Sequence, residues 1–528
     1  MKFHNVIFTL TFILISKLLT AQEISDIFLN QALNVRIESV QMDLLDQLML
    51  ETGLVFPVQT RPITHREWYT FVSQTLERTD VSFSASLRKK LETYIPNFKF
   101  RDMWHMETFA RIGLETVKKS DNSNPFIERY EDRIPLARLS YQASRDTAFG
   151  FSIQLKLQNS WPIYTTTNNQ TNIPHDVFED LDLRVFHRAY ISYQTKRITI
   201  QFGRDNLNWG VGERGSTFLS DNVPYFDFIK FVLWFEKVKF SMAFVSLTDY
   251  EPQGGKTEIS QFDQPERNMM LQRIEWRIFP SLSISTSYMK IIFGRPPKIG
   301  DINPFIWQHN LFKDYQNSMA SADFVWGIVP GLQLYGEVTS DEIQAGNLDK
   351  TDNKKAFTAV SYLLGSRFYF MGFNADFEYI YLAPLMYNFA FSEGRAVELD
   401  GVDYSRTPER DIYTRALGHW LPTDSKNLYG SVEKEIFDDL KIKGIAEQRL
   451  KGSINLTDPY PTSLIESNSS PTGIIQTTNI LGLQFKYLTQ KFDIRLMFSK
   501  FSIENYQNIE GINKNGFEFQ TSVSYRLF

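Results

Sequence analysis

The sequence predicts an all-β membrane protein: a closed antiparallel outer-membrane β-barrel of about 18 strands, preceded by a small N-terminal helical bundle. Three observations predict this fold: an N-terminal export signal, stretches in which apolar and polar residues alternate, and links between them that are short and long in turn. Aromatic residues make up 15% of the 528 residues, with 44 Phe and 24 Tyr. A lipid-facing wall with interfacial girdles uses such an excess, whereas a soluble core does not need it.

Composition excludes several classes of protein. The chain has no cysteine, which excludes a disulfide scaffold, a thiolate zinc site, a cysteine nucleophile and a lipid-modified N-terminal cysteine. The 56 Lys and Arg residues nearly balance 61 Asp and Glu, so a nucleic-acid partner, which would need a basic excess, is not expected. Charged residues at 22% and a mean hydropathy of -0.28 argue against a bundle of membrane-spanning helices.

Residues 1–21 have the organisation of a secretory signal peptide. Lys2 precedes an apolar stretch over residues 6–16, and small residues lead to a cleavage site after Ala21. Lys17 interrupts the apolar stretch, which is therefore too short for a permanent spanning helix. Together with the alternating stretches, this signal predicts export to the cell outer membrane.

Residues 22–100 are predicted to form a helical region. Thr64 and Glu67 make a capping box at the start of one helix, and Leu87 and Leu91 lie on one face of another. Two interpretations stay open for this region. It is either a packing unit or a periplasmic plug over the mouth of the barrel.

From residue 101 to residue 528 the hydrophobic period is two. Residues 149–157 and 517–527 are examples in which one face is largely apolar and the other polar or charged. In an outer-membrane barrel the apolar face meets lipid and the polar face meets the lumen. The chain ends on Phe528, and a terminal aromatic residue on such a strand is what these barrels present to the barrel assembly machinery.

The links between the predicted strands alternate in length, as in bacterial barrels with tight periplasmic turns and long outer loops. Seven short links are predicted at 144–148, 195–197, 236–237, 279–282, 329–331, 436–439 and 488–491. Nine long links are predicted at 118–132, 159–182, 204–225, 248–269, 294–318, 341–355, 383–427, 450–477 and 503–515. The turn within residues 356–382, near Phe373 and Asn374, is unclear from sequence.

No motif predicts catalysis, a cofactor or a metal site. Residues 210–215 match the dinucleotide fingerprint GxGxxG, but a loop follows where pyrophosphate binding needs a helix, so we interpret the glycines as flexible positions of an outer loop. His309 with Ser318 nearby would suit an outer-membrane hydrolase, but a lone histidine in a polar loop is more often a hydrogen-bonding residue. The acidic cluster in the 159–182 loop could bind calcium, but its spacing matches no EF-hand loop, and a solvated acidic loop is the favoured interpretation.

The long loops combine aromatic and polar side chains. The combinations include Trp209 near Asp221 and Asn222, and Trp307 with His309 and Asn310. Aromatic faces against sugar C–H groups, with polar groups bound to the hydroxyls, would form a carbohydrate site. The alternative is that these rings pack the loops against one another.

Two patches of sequence carry a resemblance to a known family. The first comprises Gly203-Arg204, Trp209-Gly210-Val211-Gly212 and residues 217–226, and the second runs from His309 to Asp341. Both are similar to the Wzi capsule-assembly outer-membrane proteins, with Val211 where that family usually has proline. The resemblance extends along nearly the whole chain.

The resemblance implies an 18-stranded barrel whose N-terminal helical bundle blocks the periplasmic side. It also implies a lectin-like protein, not an enzyme, that holds capsular or surface polysaccharide and assists capsule assembly. By motif position, ligand contact or loop structure is expected of Arg204, Trp209, Asp221 and Asn222, while Gly210, Gly212 and Pro224 shape the loop. Ligand contact is also expected of Trp307, His309 and Asn310, because their loop combines an aromatic ring with polar groups. The rival hypothesis is an outer-membrane channel or transporter for sugars or other small solutes, which needs an open lumen.

Overall fold

Local sequence signals and the final architecture agree in most of the chain. In the computed structural model, the described residues form N-terminal helices and a closed barrel. The described residues are 32–37, 39–95, 104–124, 133–145, 148–159, 169–174, 181–182, 186–235, 237–247, 267–293, 296–303, 316–342, 359–390, 397–399, 401–405, 412–437, 439–456, 470–489 and 491–527. The predicted signal peptide, residues 1–21, and Phe528 lie outside the described residues.

Three helices precede the barrel: α1 Val40–Thr52, α2 His65–Leu76 and α3 Ala85–Tyr94. The predicted capping box is confirmed, because the Glu67 amide donates to the Thr64 hydroxyl at 3.3 Å and the Thr64 amide donates to the Glu67 carboxylate at 2.6 Å. A short fourth helix, α4 Ile299–Ile302, lies between two barrel strands. Among the described residues, no helix is both long enough and apolar enough to cross a membrane.

The strands follow the alternating stretches of the sequence. They are β1 Thr60–Arg61, β2 Trp104–Lys119, β3 Ala137–Arg145, β4 Phe149–Leu157, β5 Asn169–Thr171, β6 Phe186–Gln194, β7 Ile198–Asp205, β8 Asn208–Trp209, β9 Phe226–Phe235, β10 Val238–Ser246, β11 Arg267–Phe279, β12 Leu282–Phe293, β13 Gln316–Val329, β14 Leu332–Glu342, β15 Ala359–Phe370, β16 Phe373–Leu382, β17 Asn388–Ala390, β18 Val397–Leu399, β19 Gly401–Ser405, β20 Ile412–Ala416, β21 Ser425–Phe437, β22 Leu440–Lys451, β23 Gln476–Leu488, β24 Phe492–Glu504 and β25 Lys514–Arg526.

Eighteen of these strands form the closed antiparallel barrel: β2–β4, β6, β7, β9–β16 and β21–β25. Strand β2 closes the barrel, because its first half pairs with β3 and its second half with β25. Closure satisfies the backbone groups of every strand without leaving an edge exposed to lipid. The predicted strand number is therefore confirmed.

The predicted link pattern is also confirmed. Each of the seven predicted short links joins two neighbouring antiparallel strands, and the nine long links join strands at the opposite end of the barrel. The unclear turn within residues 356–382 lies at Met371 and Gly372, two residues before the predicted position. Both residues have a positive φ, 51° and 78°, which suits the tight hairpin between β15 and β16.

The two faces of the wall differ as the period of two predicts. In β4, Ile153 and Leu157 on the outside are 36% and 41% exposed, whereas Ser152, Gln154 and Lys156 on the lumen side are buried. Further exposed apolar side chains on the outside include Met106, Leu114, Phe202, Ile229, Trp276, Trp326, Leu364, Phe377, Leu428, Leu481 and Phe517. This apolar exterior is the surface that a bilayer covers.

The N-terminal helices lie against the short-turn end of the barrel. The Gly331 amide donates to the Leu50 carbonyl, and the Val55 amide donates to the Pro280 carbonyl, each at 2.8 Å. Lys90 on α3 forms an ion pair of 2.5 Å with Glu435 on β21. These contacts hold the helices in place, and the chain after α1 runs from there into the barrel.

The free-energy cost of a charged side chain on the outer wall should depend on its depth in the bilayer. We expect Phe498→Lys, at the centre of β24, to lower the free energy of unfolding by about 2–4 kcal/mol, because lysine at the bilayer midplane is poorly solvated. Phe492→Lys is the matched control at the strand's short-turn end, where the cost is about 0–1 kcal/mol. Both rings are exposed and each packs against one aromatic neighbour.

The measurement is urea-dependent folding into lipid vesicles, followed by the gel mobility of unheated samples. Equal losses for the two variants would contradict the assignment of this wall to lipid.

Candidate functional site

The lumen is crossed by a segment of the N-terminal region. Residues 57–62 lie between lumen-facing side chains of the wall, where Glu275 accepts from the Gln59 amide at 2.8 Å and from the Thr60 hydroxyl at 2.6 Å. The Lys239 ammonium donates to the Pro57 carbonyl at 3.2 Å. Buried charges on the wall are thus satisfied by a passing backbone instead of by water.

The loop after β7 folds into the lumen and meets that segment. Thr60 pairs with Trp209, so that β1 and β8 form a two-stranded sheet inside the barrel. The Gly210 amide donates to the Gln59 carbonyl at 3.1 Å. We call residues 206–225 the inward loop. The loop begins at the long-link end, as predicted. Its body is buried in the lumen, however, so it is not the flexible outer loop expected from sequence.

Glu337 on β14 holds the inward loop. Its carboxylate accepts from the amides of Val211, Thr217 and Phe218 at 3.1, 2.7 and 2.9 Å. The hydroxyls of Ser216 and Thr217 donate to the same group at 2.9 and 2.6 Å. Donors approach both carboxylate oxygens, the pattern that an ionised carboxylate accepts. One wall residue therefore fixes the backbone of the loop over eight positions.

A second contact fixes the turn of the inward loop at Glu213. The Glu213 amide donates to the Glu378 carboxylate at 2.7 Å, and its side chain pairs with Arg367 at 2.8 Å. Desolvation inside the barrel raises the pKa of the Glu213 carboxyl, but the neighbouring Arg367 and Lys443 cations lower it by more. The carboxyl therefore titrates below its usual range and stays charged at neutral pH.

Arg214 connects the inward loop to β22, a further strand of the wall. Its guanidinium pairs with Glu447 on β22 at 2.6 Å and lies 4.6 Å from the ring of Trp420. The guanidinium of Arg449 lies 4.9 Å from the same ring and also pairs with Glu447 at 2.8 Å. Trp420 is therefore packed against two arginines, which favours a packing role for this ring.

Residues 383–387 and 416–424 of the loop between β16 and β21 cover the inward loop from the long-link end. The Tyr387 hydroxyl donates to the Thr217 carbonyl at 2.8 Å, and the Tyr387 amide donates to Asp341 on β14 at 2.7 Å. The Asn222 amide group donates to the Ala416 carbonyl at 3.0 Å. The two loops and β14 thus form one hydrogen-bonded unit.

An apolar cluster fills the lumen around these polar contacts. Buried side chains of the inward loop, including Trp209 and Phe218, pack against lumen-facing apolar side chains of neighbouring strands. The wall members are Ala243, Val245, Met269, Leu271, Met289, Ile291 and Met319. At this level the lumen face of the wall is apolar because it meets the inward loop, while the outward Gln272 and Lys290 contact Asn303 and Asp301.

The predicted site residues fall into three groups. Trp209, Asp221 and Asn222 are buried in the lumen, at 0%, 4% and 3% exposure. Arg204 faces outward at the rim, where it pairs with Asp227 at 2.6 Å and lies 4.0 Å from the Tyr225 ring. Trp307, His309 and Asn310 lie outside the described residues. The structure thus brings the first three together and separates Arg204 from them.

The predicted loop-shaping residues occupy tight positions. Gly210 has a φ of 149°, and a Cβ there would collide with the Ser216 hydroxyl and the Glu337 carboxylate. A Cβ on Gly212 would collide with the Gly215 carbonyl. Pro224 is buried at the end of the loop. No helix follows Gly215 in the fully described stretch 201–235. A dinucleotide site would need one there, so the sequence-based conclusion against such a site agrees with the fold.

Sequence reasoning did not find the residues that hold the loop, namely Glu337, Glu378, Tyr387 and Glu447. Glu337 and Asp341 belong to the second family-like patch, but nothing local connects them to residues more than a hundred positions away. One signal was available. Residues 269–271 and 291–293 are uniformly apolar, and loss of alternation indicates a wall buried on both faces.

The described residues contain no group of three or more His, Asp or Glu side chains arranged to hold a metal ion. Ser318, considered for a hydrolase, is 9% exposed on β13, while its suggested partner His309 lies outside the described part of the chain. The carboxylates described in the lumen instead form hydrogen bonds and ion pairs with the inward loop, as at Glu337 and Glu447.

The Glu337 contacts predict a measurable effect on the inward loop. We expect Glu337→Gln to increase hydrogen exchange of the Val211, Thr217 and Phe218 amides by about tenfold or more, because each loses a charged acceptor. Glu504→Gln, at the exposed end of β24, is the matched control. Hydrogen exchange detected by mass spectrometry checks this; unchanged exchange, or the same increase in the control, would contradict the role of Glu337.

Comparisons with known proteins agree with this architecture. The family model for the capsule assembly protein Wzi matches residues 137–448. Wzi of Escherichia coli, described as a carbohydrate-binding outer-membrane β-barrel involved in group 1 capsule assembly, has a similar fold: the TM-score is 0.56 at 12% identity, covering 93% of this chain and 98% of that chain. No curated protein sequence matches the chain.

Two further solved structures give lower TM-scores. OccD3 (OpdP) of Pseudomonas aeruginosa gives a TM-score of 0.41 at 11% identity, over 81% of this chain and 93% of that one. The outer-membrane channel DcaP of Acinetobacter baumannii gives 0.35 at 10% identity, over 81% and 99%.

Proposed function

The chain belongs to the capsule assembly protein Wzi family, and from that premise we propose that it binds exported capsular or other surface polysaccharide and assists capsule assembly. It does so as an outer-membrane β-barrel. The observation that carries the proposal is the family match, which spans more than half of the chain and includes the whole inward loop and its Glu337 acceptor.

The filled lumen supports a holder over the rival channel. A barrel of this strand number leaves a water-filled channel when its interior is empty. Here the paired segments of β1 and β8 cross the interior, and the apolar cluster around Trp209 occupies the level above them. A solute path would require both to leave, together with the contacts to Glu337 and Glu275.

The polysaccharide contacts belong to the long-link end. Trp209, Asp221 and Asn222 are buried, which supports the loop-structure alternative for them. Arg204 at the rim is half-exposed, and Trp307, His309 and Asn310 belong to the long link 294–318 on the same side. We assign the glycan contacts to these four residues, through ring faces and hydrogen bonds to hydroxyls.

The chain needs no catalytic step for this function. Binding alone retains polymer at the surface. Export through the signal peptide 1–21, a periplasmic position for residues 22–100 and a lipid-embedded barrel from residue 101 belong to the same proposal. So does recognition of the last strand, ending at Phe528, by the barrel assembly machinery.

Conductance separates the holder from the channel. We expect purified wild-type protein in planar lipid bilayers to give no large, stable currents, because the interior is closed at two levels. A matched porin of similar size reconstituted in the same bilayers provides the positive control. Large and stable single-channel currents from the wild type would favour the channel.

Glycan retention tests the assigned surface. We expect Trp307→Ala to weaken binding of capsular polysaccharide by about tenfold or more, since an aromatic anchor commonly carries a large share of binding energy. Trp326→Ala, on the lipid-facing wall at 44% exposure, is the control for loss of a tryptophan. Binding is measured on a glycan array and in a capsule-retention assay. Equal binding by both variants would contradict the assignment.

A further inference from the structure

A cavity of about 290 Å³ opens between α2 and the short-turn ends of the barrel strands. Its lining includes Arg66 from α2, Arg197 from the turn after β6, and Arg277 from the lumen side of β11. Lys196 is a fourth basic member, and Glu67 is the acidic one. The cavity therefore has a strong positive excess at the short-turn mouth of the lumen, the opposite end from the inward loop's cover.

The three arginines have no carboxylate partner among the described residues, and Glu67 is engaged elsewhere. Its carboxylate pairs with Lys239 at 3.1 Å and caps α2 through the Thr64 amide. Guanidinium groups present several donors in one plane and suit carboxylate or phosphate. Among the described lining residues, the carboxylate of Glu67 is thus already paired, which leaves the three guanidinium groups for an anion from outside.

Gln194 gives an independent indication of a ligand. This residue ends β6, faces the cavity and is only 2% exposed. Neither its amide nitrogen nor its amide oxygen has a hydrogen-bond partner. An unsatisfied buried amide costs free energy, and it offers one donor and one acceptor type to a bound molecule, as a hydroxylated ligand requires.

Two aromatic rings complete the cavity. Phe71 of α2 and Trp234 of β9 lie with ring centroids 5.8 Å apart at 59°, and both line the cavity. Because Phe71 is stacked on Phe56 at 4.6 Å, only its remaining surface and that of Trp234 can provide the apolar surface on which the C–H side of a sugar packs, while polar groups bind its hydroxyls. The volume lies at the small end of ligand pockets, so one or two sugar units fit.

We propose that this cavity is a binding site for an acidic sugar unit, with the arginines on its carboxylate or phosphate, Gln194 on hydroxyls and the two rings on the sugar face. The site goes beyond the proposed function, because it lies at the short-turn mouth and shares no residue with the outer loops. A glycan reaching the barrel from that side would meet it before the lumen segment at residues 57–62.

Calorimetric titration of the full-length protein in detergent tests the site. The probes are cellobiouronic acid, its neutral counterpart cellobiose, and inorganic phosphate. We expect the wild type to bind the acidic disaccharide at least about tenfold more tightly than cellobiose, the effect of one charge-assisted contact. Arg277→Gln and Arg197→Gln should each weaken binding of the acidic disaccharide by about tenfold. Arg145→Gln, an exposed arginine at the end of β3 that does not line the cavity, should change nothing.

Gln194→Leu separates a ligand contact from a structural role. We expect weaker binding of the acidic disaccharide with no fall in the melting temperature, because the amide has no protein partner to lose. Trp307→Ala should leave this binding intact, so failure here is distinguishable from failure of the outer glycan site. Equal binding of acid and cellobiose, phosphate binding as tight as the acid, or a destabilised Gln194→Leu with unchanged binding would overturn the proposal.

Discussion

Closure of the lumen by the inward loop is the constraint on which the rest of this structure depends. A wall of 18 strands encloses more space than its own side chains can fill. Glu337 resolves this by accepting from the loop backbone at Val211, Thr217 and Phe218. Without those donors a buried carboxylate would be unsatisfied, so the wall and the loop stabilise each other.

The closure of the lumen is shared between segments that enter from the two ends of the barrel. From the short-turn end, residues 57–62 satisfy Glu275 and Lys239; from the long-link end, the inward loop satisfies Glu337 and Glu378. The two meet where Thr60 pairs with Trp209. Because each half supplies the other with backbone hydrogen bonds, opening the lumen requires disruption of both.

Local periodicity predicted the barrel well, since alternation and turn spacing are properties of neighbouring residues. The capping box at Thr64 is equally local, and it is present. The inward loop could not be predicted in this way, because Glu337 and Thr217 are 120 residues apart. Uniformly apolar residues 269–271 indicate that the wall is buried on both faces, but they do not indicate which segment covers the inner face.

The two sequence patches that resemble the family contact each other in the folded barrel. The first patch supplies the donors at residues 211–218, and the second supplies Glu337 and Asp341. These contacts hold the inward loop inside the barrel. The family match spans both contact partners, so the resemblance reflects the way this barrel fills its own lumen.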